Sequence, residues 1–316
     1  MPVTITAGIT FSGGGLTMSL PPSTVNAGWY GGGRTTSGAS NTSTVQRITF
    51  ATDTATASVR GPLSFIVAQF AATSDLTYGW FGGGYTQPGT TSTVQRIIFA
   101  TDTATATARG PLSVAISGIA AVGNTTDGWF GGGPSTSTVN RITYSTDTAT
   151  ASVRGSLSAN KFYSATAGNT TDGWFFGGRG SESVVNRITY ATDTATASVR
   201  GPVSFGVEQA AGTGDTTDGW FGGGYSPGNG NISTIQRITY ATDTATASVR
   251  GPLSLAGRAW AASADTTYGW FGGGYLPPNV LSTIQRITFA TDTAIATARG
   301  PLSIGSQQLA STSGIQ

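Results

Sequence analysis

Residues 79–84 read "GWFGGG", and close variants stand at 28–33, 128–133, 173–178, 219–224 and 269–274 of the 316-residue chain. A glycine run that cradles a phosphate opens a helix and occurs once. This one is repeated along the whole chain and is followed each time by Thr-, Val- and Ile-rich sequence. Its constancy marks architecture rather than a ligand loop.

Working outward, each unit reads "GWFGGG", a variable stretch, "STVQRITYATDTATASVRGPLS", and a second variable stretch before the next tryptophan. From the Asp of "TDT" to the closing Ser is 11 residues in every copy, Asp53 to Ser64 through Asp292 to Ser303. From that Ser to the next Trp is 16 residues wherever it can be counted. Only the leg from Trp to Asp varies, at 24, 22, 18, 19, 23 and 22 residues. Loops tolerate insertion and packed strands do not, so one connection per unit is free and the others are fixed.

Four strands fit each unit. "TYGWF" is an aromatic strand stopped by glycines, and "STVQRITY" is the next. "ATDTA" reads as a tight turn, with its Asp placed to hydrogen-bond its own backbone. "TATASVR" alternates with period two, as a strand packed on one face does. "SFIVAQFAATS" and its counterparts supply the fourth. Repetition at this period predicts an all-β fold, a six-bladed β-propeller of four-stranded antiparallel blades. Trp and Phe give each blade a large apolar anchor, and Gly and Ala let the next blade approach closely. The first unit has no closing Ser before it and the last has no "GWFGGG" after it. The C-terminal strand, about 303–313, is therefore expected to complete blade 1 and close the ring. Residues 1–22 then form an N-terminal extension and 23–316 the propeller, with Pro21 and Pro22 at the break.

Composition narrows the chemistry. There is no cysteine and no histidine, which excludes disulfides, thiolate metal sites and a Ser–His–Asp triad. Charged residues are 9% and the net charge is +2. A single lysine and no basic cluster argue against nucleic acid. No apolar run approaches the ~20 residues of a membrane helix, and the start "MPVTITAGIT" lacks the pattern of a signal peptide.

In strand order the unit resembles the kelch repeat: a strand ending in glycines, a third strand ending in an aromatic, a turn, and an outer strand. The resemblance covers roughly residues 23–316. It departs in the tryptophan, which here precedes the glycines, whereas the outer strand carries Ala or Thr. The repeat is also similar to the kelch-like repeats of tailed-phage structural proteins, those of marine cyanophages in particular. The leader "ITAGITFSGGGLTMS" at 5–19 is similar to Gly/Thr-rich starts of phage virion proteins. The resemblance implies a non-enzymatic virion or tail-fibre module for structure or host attachment, located in the virion. Residues 1–22 would dock to other virion proteins, with no cofactor, metal, nucleic acid or membrane insertion. A soluble, lectin-like glycan-binding propeller is the alternative. Kelch topology would also place the variable loop on the face that carries the "RGPLS" connection, the face such propellers commonly use for ligands.

Two sets of residues break the repeat there. Tyr85, Tyr225 and Tyr275 follow the glycines where blade 1 has Arg34, and the four blades with long loops are consecutive in a closed ring. Exposed aromatics of this kind suit stacking on sugar rings or a protein contact. The innermost strand varies as well, reading Ala68, Ser117, Phe162, Glu208, Arg258 and Gln307 at one aligned position. Glu208 and Arg258 are expected to pair near the axis, and Lys161, Tyr163 and Trp260 also break the pattern. The twelve repeated arginines, such as Arg47 and Arg60, are expected to bond carbonyls or the "TDT" aspartates. "NTTD" at 124–127 gathers too few oxygens for calcium.

Overall fold

The computed structural model describes residues 8–12, 15–19, 26–36, 40–180 and 182–314. Six antiparallel sheets with a four-stranded core follow one another along the chain, the sixth extended by the short strand Asn279–Val280, and the strand Ala310–Ser313 pairs with Ala27–Gly31 to complete the first. The fold is a six-bladed propeller closed by its C-terminal strand. In blade 2 the strands run, from the axis outward, Ala71–Ser74, Tyr78–Gly82, Val94–Ile98 and Thr107–Arg109.

The inner strands are shorter than the sequence pattern implies. Blade 1 is closed by residues 310–313 rather than 303–313, and "SFIVAQF" before Ala71 is a connection that crosses from the rim to the axis. At the outer edge only "SVR" or "TAR" is strand, Ser58–Arg60 in blade 1. In "TATA" the chain is still leaving the turn. Short edge strands of this kind offer little backbone for pairing with other chains.

The blades are fastened by one repeated device. In blade 2, Trp80 lies opposite Arg96 across the sheet, so the indole and guanidinium emerge side by side. Both reach Asp147 of blade 3: Trp80 Nε1 donates to Oδ2 at 2.8 Å and Arg96 Nη1 to the same atom at 3.0 Å. Arg109 from the outer strand stands at 3.5 Å. The Trp80 ring stacks on Tyr144 of blade 3 at 3.9 Å. The same set recurs at every junction and finishes with Trp270, Arg286 and Arg299 of blade 6 on Asp53 of blade 1. The "TDT" aspartate thus latches the neighbouring blade instead of bonding its own turn, a short 3-10 segment such as Phe50–Thr52. The repeated arginines are structural, as the sequence implied. Between the same elements Gly61 donates its N–H to Asp102 O at 2.8 Å, and a side chain there would overlap the Ala104 carbonyl.

Of the N-terminal extension, the strands Gly8–Ser12 and Gly15–Ser19 form an antiparallel hairpin. The rest of the 1–22 segment expected to dock lies outside the described residues.

Candidate functional site

The last two glycines of each run decide where the variable residues go. Gly83 and Gly84 have φ of 67° and 110°, a region open to glycine and costly for other residues. They fold the chain back off the end of the strand toward the axis. Gly84 N then donates to Ile116 O at 2.7 Å, and Tyr85 exchanges backbone hydrogen bonds with Ala68, at 2.7 Å from its N–H and 3.1 Å to its carbonyl. Tyr225 pairs in the same way with Glu208, and Arg34 with Gln307. Tyr275 lies opposite Arg258 in an extended strand pair. In blade 4, Arg179 N donates to Phe162 O at 2.7 Å. The two sets of repeat-breaking residues are therefore neighbours on one face.

Just inside them the backbone closes on itself. Gln69 N donates to Gln308 O, Gln308 N to Ala259 O, Ala259 N to Gln209 O, Gln209 N to Tyr163 O, Tyr163 N to Gly118 O and Gly118 N to Gln69 O. Each of these six residues has φ between 55° and 64°. Five of them are not glycine, and such conformations cost on the order of 1 kcal/mol each. Strain of this kind persists where the surroundings over-determine it. Here a closed hydrogen-bonded iris crosses the axis and presents Gln69, Tyr163, Gln209 and Gln308 at its rim. It adjoins an axial cavity of about 140 Å³ walled by the inner strands, while a wider mouth of about 390 Å³ opens at the opposite face.

Around the iris the rim is uneven. Short hairpins rise in blades 2, 5 and 6, pairing Tyr85 with Thr90, Tyr225 with Asn231 and Tyr275 with Val280, and Arg34 bridges Asn41 in blade 1. No such pair rises from blades 3 and 4 among the described residues. The result is a horseshoe wall with its gap over blades 3 and 4.

Charge is distributed with the same asymmetry. Twelve of the 16 Lys and Arg residues are in the blade latches. Of the other four, Arg34, Arg179 and Arg258 stand on this rim. Arg258 lies 5.2 Å from the Tyr225 ring centre and 5.5 Å from that of Tyr275, and Arg34 lies 5.7 Å from that of Tyr85. The expected Glu208–Arg258 ion pair does not form: no salt bridge joins them, and the guanidinium sits between two tyrosine rings instead. Glu208 has no ion-pair partner among the described residues. Burial raises the Tyr163 phenol above its ordinary range, opposed by the nearby Arg34 and Arg179 and reinforced by Glu208. Tyr163 thus remains a hydrogen-bond donor throughout the neutral range. At the opposite face Asp215 and Asp265 line the mouth, Asp75 stands in the corresponding turn of blade 2, and Asp127, Asp172 and Asp218 open the second strands of blades 3, 4 and 5.

Two candidates are built into the fold rather than presented on the face. Lys161 is fully buried, with Nζ donating to Glu182 Oε2 at 2.6 Å, Gly177 O at 3.0 Å and Val184 O at 3.1 Å. It ties down the short loop of blade 4. Trp260 is also buried and lies against Gly223, Gly257 and Gly274. Gly257 stands where other blades have Val67, Ile116 or Val207, so the indole fills the volume that the missing side chain leaves. Sequence reasoning missed Gln69, Gln209, Gln308 and Arg179. Their signals were present: the three glutamines stand one place beyond the variable axial column, and "FGGR" at 176–179 matches "GGGR" at 31–34.

No described protein family matches the chain, and no curated protein does. Among solved structures it is similar to that titled "Structure of YjhT", at 11% identity, covering 82% of this chain and 91% of that one, with a TM-score of 0.62. At that identity the likeness is one of fold. It corrects the reading drawn from phage-like repeats. The likeness is to YjhT and conflicts with the virion, tail-fibre, viral-protein and host-attachment assignments. The expectation that the chain is not an enzyme rested on that reading and is withdrawn with it.

Proposed function

We propose that the chain is a glycan-binding propeller and that the horseshoe face seats a sugar bearing an acidic group. The observation that carries this is the fate of the charges. Once the latches and the Lys161–Glu182 pair are formed, three arginines remain, and all three stand on the rim with Tyr85, Tyr225 and Tyr275. Arginine forks match carboxylate and sulfate oxygens, tyrosine rings stack on the apolar faces of sugars, and the glutamines supply amides for hydroxyls. The kelch-like order of the strands supports the same face. Turnover is a property to measure. Paired-carboxylate hydrolysis needs two acids, and Glu182 is committed to Lys161, so Glu208 is the group placed to exchange a proton with a bound sugar, beside the Tyr163 phenol.

A glycan array of neutral and acidic sugars tests the proposal. Binding should be confined to acidic glycans, weaken as salt is raised, and fall about tenfold or more in Arg258→Ala and Tyr225→Ala, while Asp75→Asn on the opposite face leaves it unchanged. Selective binding of neutral glycans, or of none, overturns the proposal. Product analysis with Glu208→Gln then separates binding from turnover: any turnover should vanish while binding persists.

A further inference from the structure

The gap in the horseshoe holds a second repeat-breaking constellation. At the iris position of blade 3 stands Gly118, where other blades have Gln, Tyr or Ala, and the Phe162 ring lies directly on it. A side chain at Gly118 would overlap that ring. Tyr163 packs against Phe162 with ring centres 3.8 Å apart, and the Arg179 guanidinium stands 5.7 Å from the Phe162 centre. Phe162 is half-buried, so part of it faces the rim. Lys161, immediately before it, is fixed by three hydrogen bonds to Gly177, Glu182 and Val184, which flank Arg179 in the sequence. An aromatic platform is therefore held in the sector of blades 3 and 4, where no hairpin or bridge rises from the loop among the described residues.

Resting on the glycan reading above, we infer that this platform is a second sugar subsite, over which a glycan chain leaves the horseshoe. The terminal acidic sugar sits within the wall, against Arg258 and Arg34. The wall closes the sectors of blades 5, 6, 1 and 2, so the next units can continue only across blades 3 and 4. There Phe162 offers a ring face and Arg179 a cation. Recognition of this form extends along a chain and favours oligosaccharides over single sugars.

Calorimetry with galacturonate, digalacturonate and tetragalacturonate reads this directly. The tetramer should bind the native protein about tenfold more tightly than the monomer. Phe162→Ala should abolish that gain and leave the affinity for the monomer unchanged. Phe162→Leu, which still covers Gly118 without a ring, should do the same and guards against a folding defect. Phe162→Tyr should retain the gain, and Arg258→Ala should weaken all three ligands by the same factor. A native protein that binds the monomer as tightly as the tetramer, or a gain that survives in both ring-deleted variants, overturns the platform while leaving acidic-sugar binding standing. Failure of all three uronates to bind overturns the platform as a subsite for uronate chains, and the acidic-sugar reading falls with it only where the glycan array is blank as well.

Discussion

Asp102 shows how much one side chain carries here. Its Oδ2 accepts from Trp29 Nε1 at 2.8 Å and Arg47 Nη1 at 3.0 Å, with Arg60 Nε at 3.5 Å, and only 7% of its side chain is exposed. One carboxylate thus satisfies a buried indole and offsets two guanidiniums that are each about one-fifth exposed. Removing one member of such a set leaves the others desolvated and unpaired, which is worse than never having built it. Asp102→Asn keeps the shape and one acceptor but loses the charge. We expect it to lower unfolding free energy by about 2–3 kcal/mol, read as a shift of the urea midpoint at constant slope. A shift below about 0.5 kcal/mol would show that solvent already screens the set, as it does surface pairs.

At the scale of the element, the third strand ends in an aromatic that stacks under the neighbour's tryptophan. It is Phe50, Phe99 and Phe289 in blades 1, 2 and 6, and Tyr144, Tyr190 and Tyr240 in blades 3, 4 and 5. Burial pushes the phenols of Tyr190 and Tyr240 well above their ordinary range. A group whose folded pKa is raised contributes stability that is intact below its unfolded value, about 10 for tyrosine, and that is lost as pH rises beyond it. Each such tyrosine should cost the fold up to about 1.4 kcal/mol per pH unit above that point. Tyr240→Phe gives up only a 3.3 Å hydrogen bond to Gly168 O and copies what blades 1, 2 and 6 already use. Its urea midpoint should match the native one at pH 8 and exceed it at pH 11. Equal losses in both proteins would place the alkaline sensitivity elsewhere. These elements also show what the sequence makes legible. Strand order and closure follow from spacing because every blade repeats them, whereas the loop-bearing face is implied only by the resemblance to kelch topology. The reach of Asp102 to Trp29 does not, because it joins residues 73 apart whose separation is set by how blades stack. The iris is hidden for the same reason: Gln69 and Gln308 meet only once the ring is closed.

For the whole molecule, closure couples several features that lie far apart in the chain. Ala310–Ser313 supplies the inner strand of blade 1, Gln308 contributes one side of the iris, and Gln46 Oε1 accepts from Ser303 Oγ and Ile304 N. Deleting residues 301–316 removes all three and exposes the Ala27–Gly31 edge, so the truncated chain should lose its single cooperative transition. That result alone would not separate ring closure from a simple loss of packed surface. A permuted chain does. Gly314 N lies 3.3 Å from Ala27 O, the place where blade 2 passes from Ser74 to Tyr78 through a three-residue turn. Joining Ser313 to Ala27 through "DLT", the turn of residues 75–77, and opening the chain at Pro88–Gly89 in the blade 2 hairpin keeps every blade contact. The new turn replaces closure by pairing with closure by covalent bond. The permutant should unfold in one transition, with stability within about 1 kcal/mol of the native chain, since loop-closure terms of this size change little. A permutant that unfolds in stages would mean that residues 1–26, absent from it, help hold the ring together.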